Sequence, residues 1–319
     1  MARVDPHLIF ACEVILDVDG PLLRSMRTVQ HSYIRRRLGL NKRSSTAVLF
    51  TETRLWPIRY RRVYLALQYL AYILRESPEL ALLALHELVA LCAEGKSSLM
   101  GDLNHSLRRL PVPVIMEEET ALTVPNVQIL LNLVEKSMWE HLEEQVESSP
   151  KFVLLHGRLE YIQKQRSMEH RTLAFRDYLQ VVVPDHRKAL ARLVCSDHPL
   201  AIEQLRRTAA RNHIPRMSRT CRFCRIPGTV ESEQHALIDC SNDELVSLCE
   251  SFMTKAIQAV PAIARQRREL SSISFLRALL SWTRVTELLG KYTHRIFRLC
   301  TLTPLLIHND FVIDGEGND

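Results

Sequence analysis

Apolar side chains recur along most of this chain at the three- and four-residue intervals of an amphipathic helix. Leu22, Met26, Val29, Tyr33 and Leu38 fall near one face over residues 21–38, which predicts a helix that Gly39 stops. A second periodic stretch starts near Pro57 and runs to Leu74, basic at its head and apolar at its tail. Pro78 opens the next, which ends near Glu94 and Gly95. Ile129, Leu130, Leu133, Val134, Met138, Leu142 and Val146 form a stripe over 126–148, with charge on the opposite side. Shorter helices are predicted over 186–195 and 199–211, and two or three more over 243–308 with a break near Gly290. The apolar runs 152–155 and 181–183 are brief for strands, so 152–183 is read as helical.

Composition supports a helical reading. The chain has 319 residues, 46% of them hydrophobic, enough for a sizeable core, and only nine glycines, too few for a loop-rich or sheet-rich fold. The longest apolar run, Leu80 to Cys92, is broken by His86 and Glu87 and is shorter than a bilayer span. It reads as a buried helix, and no membrane partner is expected.

One motif changes the picture. Cys221, Cys224, His235 and Cys240 make a C-x2-C-x10-H-x4-C array, a spacing that specifies four-coordinate binding of one Zn2+ ion. Cysteines at i and i+3 fit a tight knuckle, Pro227 and Gly228 supply a turn, and Ser232 is placed to cap a short helix carrying His235. His213 is a weaker alternative ligand because it precedes the knuckle. With three thiolates and an imidazole the coordination shell is full, so the expected role is structural. Cys12, Cys92, Cys195, Cys249 and Cys300 are scattered and show no disulfide framework, which points to the reducing cytoplasm or nucleus. The expected fold class is therefore mainly α, an irregular helical array with a small embedded CCHC module. The expected division is a helical region 1–110, a proline-marked linker 111–125, a helical region 126–200, the basic zinc module 201–245, C-terminal helices 246–308 and an acidic flexible tail 309–319.

Net charge is a modest +6 but unevenly spread. No acid occurs from Gln204 to Val230, while Arg206, Arg207, Arg211, Arg216, Arg219, Arg222 and Arg225 all do. A second concentration contains Arg35, Arg36, Arg37, Arg59, Arg61 and Arg62, interleaved with Trp56, Tyr60 and Tyr64. Such charge runs are often solvated helix faces. Arginines beside aromatics also suit phosphate contact with base stacking, and both groups are candidate contacts to RNA or DNA. No P-loop, dinucleotide-binding turn, Gly-x-Ser-x-Gly elbow or His-Glu-x-x-His helix occurs. Asp17 and Asp19 are read as surface or capping residues, and Pro184 and Asp185 as a helix start. The expectation is a protein that is not an enzyme.

With these residues laid out, the chain resembles the C-terminal, post-polymerase region of a LINE-type (non-LTR) retrotransposon reverse transcriptase of fungal type. Residues 30–40 with 49–62 are similar to the segment after the polymerase palm and thumb. Residues 196–205, 214–216 and the Cys221 to Cys240 array are similar to the zinc-binding module. The resemblance covers nearly the whole chain. It implies zinc ligation by Cys221, Cys224, His235 and Cys240, a role in holding template RNA and target DNA, and the polymerase part of the element as a partner. The family's aromatic-x-Asp-Asp catalytic turn has no counterpart here, so the chain is expected to be a non-catalytic fragment or a truncated relic.

Overall fold

The computed structural model describes residues 4–16, 18–116, 122–162, 167–207 and 214–307. The fold is mainly helical. Its helices sort into two compact units whose division does not follow the chain. The first comprises residues 1–34, 46–148 and 172–174, the second 35–45, 149–171 and 175–319.

The first unit contains α1 (Asp5–Ile9), most of α2 (Gly20–Leu38), α3 (Ala47–Thr51), α4 (Ile58–Glu76), α5 (Glu79–Ala93), α6 (Leu99–Arg108) and α7 (Val124–Glu147). Its core is the α4–α7 contact, where Tyr60, Val63, Leu67 and Leu70 meet Leu131, Val134, Met138 and Leu142, all buried. Each run repeats at three and four residues, so one stripe per helix faces inward. Gln30 fixes where α4 starts. Its side-chain amide donates to Trp56 O (2.9 Å) and accepts from Ile58 N (3.0 Å), meeting a donor of the first turn that has no intrahelical partner. Asp19 plays the expected capping part, its Oδ2 accepting from Leu22 N at 2.9 Å. Asp17 lies outside the described residues.

Two expectations are corrected here. The apolar helix α5 is not buried, since Leu85 is its buried residue while Leu80 and Leu83 are 82% and 60% exposed. Its contacts with α4 and α6 cover too narrow a stripe for a helix that is apolar nearly all round. Nor do residues 111–125 separate two units, because Leu110 and Val114 are buried and Val112 O accepts from Ser137 Oγ of α7 at 2.6 Å. Residues 117–121 lie outside the described residues, and the division falls after Ser148.

The second unit takes the end of α2, where Gly39 adopts φ +71° and Leu40 N bonds Arg35 O at 2.9 Å, the left-handed stop that glycine favours. Then come the antiparallel hairpin β1 (Leu159–Ile162) and β2 (Ser167–His170), α8 (Pro184–Val194), α9 (Ala201–Arg207), α10 (Asp243–Ala259), α11 (Ala262–Glu269), α12 (Ser272–Ser281) and α13 (Thr286–Leu302). The hairpin corrects the helical reading of 152–183. Neither apolar run makes the strands, which pair Leu159 with His170 and Ile162 with Ser167. The break expected near Gly290 falls between α12 and α13, and Gly290 itself is helical. It lies within α13, where a Cβ would sit 3.2 Å from the Cβ and O of His186, so its missing side chain lets α13 pack closely on α8. The expected tail 309–319 lies outside the described residues.

Candidate metal centre

The four sequence-predicted ligands come together. The Cys221, Cys224 and Cys240 sulfurs and a His235 ring nitrogen all lie within 4.8 Å of one another. Cys221 Sγ is 3.8 Å from Cys240 Sγ, and Cys224 Sγ is 3.5 Å from His235 Nε2. A tetrahedral ion with metal–sulfur bonds of about 2.3 Å has edges of about 3.8 Å between sulfurs, slightly less towards an imidazole nitrogen. These two edges match tetrahedral spacing, and the set could hold a single metal ion.

Local sequence makes this geometry. Thr220 bridges Val230, and Cys221 N donates to Thr229 O (2.9 Å), closing a narrow loop. Within it Arg225 N donates to Cys221 O (3.0 Å), with Arg225 at φ +56° and Gly228 at φ +75°. Backbone amides of Phe223 and Cys224 point at the Cys221 sulfur, and that of Ile226 at Cys224. These donors favour thiolate at both positions. On the opposite side Ser232 Oγ accepts from His235 N at 3.3 Å, the predicted cap. The turn it opens is a π-helix, His235–Asp239, closed by Cys240 N to His235 O at 2.8 Å. The wider i to i+5 turn brings Cys240, rather than Asp239, over His235.

Cys221 and Cys240 are buried, Cys224 and His235 half-buried. Without an ion the Cys221 thiol is pushed up to about 12 by its hydrogen bond to Cys240 and by burial, while Cys240, accepting that bond, is lowered. Burial raises Cys224. Binding of a cation by this set would displace the thiol protons, so metal affinity should fall as pH falls.

Behind the knuckle is a buried ionic network that corrects part of the basic-strip reading. Arg222 is only 4% exposed. Its guanidinium pairs with Glu231 Oε1 (2.8 Å) and donates to the carbonyls of Pro199 (2.7 Å), Cys300 (2.7 Å) and Thr303 (3.0 Å). Glu231 also accepts from Arg222 N (2.9 Å) and Ala201 N (2.8 Å). Arg219 is buried too, bonded to Ile214 O and Ile202 O. Both residues hold the module to its own unit, and neither guanidinium faces solvent. Arg206 is exposed but paired with Glu203 (2.6 Å), leaving Arg216 and Arg225 exposed and making no salt bridge among the described residues, with the charge of Arg216 felt by the buried Glu233. Arg211 and the Arg207 side chain lie outside the described residues.

The second arginine group is divided. Arg35, in the unit of the knuckle, is half-buried and bonds Ser44 Oγ (3.1 Å) and Ser44 O (2.8 Å), whereas Arg36 and Arg37 are exposed. In the other unit Arg62 is buried on Leu8 O (2.7 Å), Arg61 pairs with Asp5 (3.2 Å), and Arg59 donates to Arg109 O (3.3 Å). Arg62 is thus corrected to a packing role.

Sequence reasoning missed five polar residues that seat the module. Asp197 accepts from Asn41 N (2.5 Å) and Nδ2 (2.8 Å), and His198 pairs with Glu233 (2.9 Å) with both side chains buried. Glu231 and Glu233 stand just past the acid-free interval, and that position was the available signal. Comparison with family models, with curated proteins and with solved structures finds no match.

Proposed function

We propose that Cys221, Cys224, His235 and Cys240 hold one structural zinc ion, and that the module it folds presents arginines to the phosphates of RNA or DNA without performing chemistry. Three thiolates and an imidazole at tetrahedral spacing suit zinc and leave no open position for a reacting water. The nucleic-acid reading rests on one observation, that Arg216 and Arg225 remain exposed and make no salt bridge among the described residues beside this closed centre. The resemblance to LINE-type reverse transcriptases supports template RNA or target DNA as the ligand and the polymerase part of such an element as a partner, in the nucleus or cytoplasm.

A second reading, a helical protein-interaction scaffold stapled by zinc, is favoured by the exposed apolar face of α5. Salt separates the two. Metal analysis should return one zinc per chain, with Cys224→Ser losing it. In fluorescence anisotropy on structured RNA and duplex DNA, the Arg216→Gln/Arg225→Gln pair should reduce the log-log salt slope by about 2 units and weaken all sequences alike. A zinc-retaining double variant with unchanged slope and affinity leaves the scaffold as the better reading.

A further inference from the structure

Three helices of the first unit each direct basic residues, spaced three or four apart, at one cavity of about 370 Å3. Arg24 and Arg27 come from α2, Arg59 and Arg62 from α4, and His105 and Arg109 from the end of α6. Residues at these spacings share a helix face, so the convergence is built into the sequence register.

Arg62 forms part of the buried wall, already bound to Leu8 O. Arg59 donates one bond to Arg109 O, and Arg109 lies 3.2 Å from His105 Nε2. Arg24, Arg27, Arg59 and Arg109 have no ion-pair partner, and no carboxylate lines the cavity, among the described residues. Asp17 lies outside the described residues, and Asp19, beside the lining residues Val18 and Gly20, is engaged in capping α2 through Leu22 N. The crowding is electrostatically real. Burial holds Arg59 below its ordinary value, and the charges of Arg27 and Arg109 push it the same way.

Like charges brought together in a half-buried cavity cost stability unless an anion completes them. Guanidiniums are forked donors that match phosphate oxygens in pairs. The volume is at the small end for ligand sites, suited to a compact oligophosphate and tight for a whole nucleotide. We propose that this cavity is a phosphate-class anion site, filled by a diphosphate-sized group that is either free or carried at the 5′ end of a strand. The site goes beyond the nucleic-acid reading above, because neither the zinc knuckle nor its arginines take part.

The test uses the full zinc-loaded chain and inorganic pyrophosphate. Calorimetry should show one site, and pyrophosphate should raise the thermal midpoint. Arg27→Gln should weaken binding at least tenfold and abolish that rise, while its own ligand-free midpoint stays level with the wild type or exceeds it, since a repulsion has been removed. Arg27→Lys, which keeps charge but loses the fork, should lie between the two and serves if the glutamine variant misfolds. An RNA strand bearing a 5′-triphosphate, compared with the same strand bearing a 5′-hydroxyl, distinguishes the sources. A preference lost in Arg27→Gln places the group on a strand end, and equal binding assigns the site to free oligophosphate. No pyrophosphate binding by the wild type, or equal binding by Arg27→Gln, overturns the proposal. Since that titration contains no nucleic acid, its failure leaves the zinc-module reading untouched.

Discussion

Arg222 shows how far a single residue's role depends on partners distant in sequence. By composition it belongs with Arg216 and Arg225 in an acid-free run, yet it is buried and bonded to carbonyls of residues 199, 300 and 303 and to Glu231. Glu231 stands one position beyond that run, and the carbonyl acceptors carry no sequence signature, so composition could not sort one arginine from another. Removing one partner of a buried pair strands the other. Arg222→Met is therefore expected to cost about 3–5 kcal/mol in urea unfolding, whereas Arg225→Met at its exposed position should stay within about 0.5 kcal/mol. Equal, small effects would mean the guanidinium network contributes little. The Cys/His cluster was legible for the opposite reason. Four-coordinate chemistry restricts both residue type and spacing, and those restrictions are written locally.

At the scale of elements, legibility followed period and length. The stripes over 21–38, 57–74 and 126–148 returned as α2, α4 and α7 because long amphipathic repeats have one low-energy reading. The β1–β2 hairpin was lost because its strands, Leu159–Ile162 and Ser167–His170, are four residues each and carry no regular alternation, too short for a period to register. The break expected near Gly290 falls a few residues earlier, between α12 and α13; glycine has two uses, ending a helix or admitting a neighbour, and only packing separates them. That difference is measurable. Gly290→Ala gains about 1 kcal/mol of helix propensity but drives a Cβ to 3.2 Å from His186 O, a backbone atom that cannot rotate away. Overpacking typically costs about 1–3 kcal/mol, so a net loss of up to about 2 kcal/mol is expected, with a lowered thermal midpoint. A midpoint at or above wild type would show that α8 yields easily.

Across the whole molecule, no helix of the described residues is long and apolar enough to cross a membrane, and each unit has its own core. The Cys/His module is not an appendage of the second unit. Arg222 leaves the knuckle to bind Cys300 O and Thr303 O, which belong to the last turn of α13 and the residue beyond it, and Leu305 packs on Ala201, Leu205 and Ile214. Helix C-termini have carbonyls without intrahelical partners, and here the metal-binding loop provides them. The ion's presence should therefore be recorded far along the chain, in amide hydrogen exchange. With the ion bound, the final turn of α13 should open only with the unit as a whole. After chelation those amides should lose protection together with the knuckle, while the α4–α7 amides of the other unit keep theirs. An ion held by the knuckle would thus tie together one cooperative folding unit that reaches from Asn41, bonded to Asp197, to the last turn of α13.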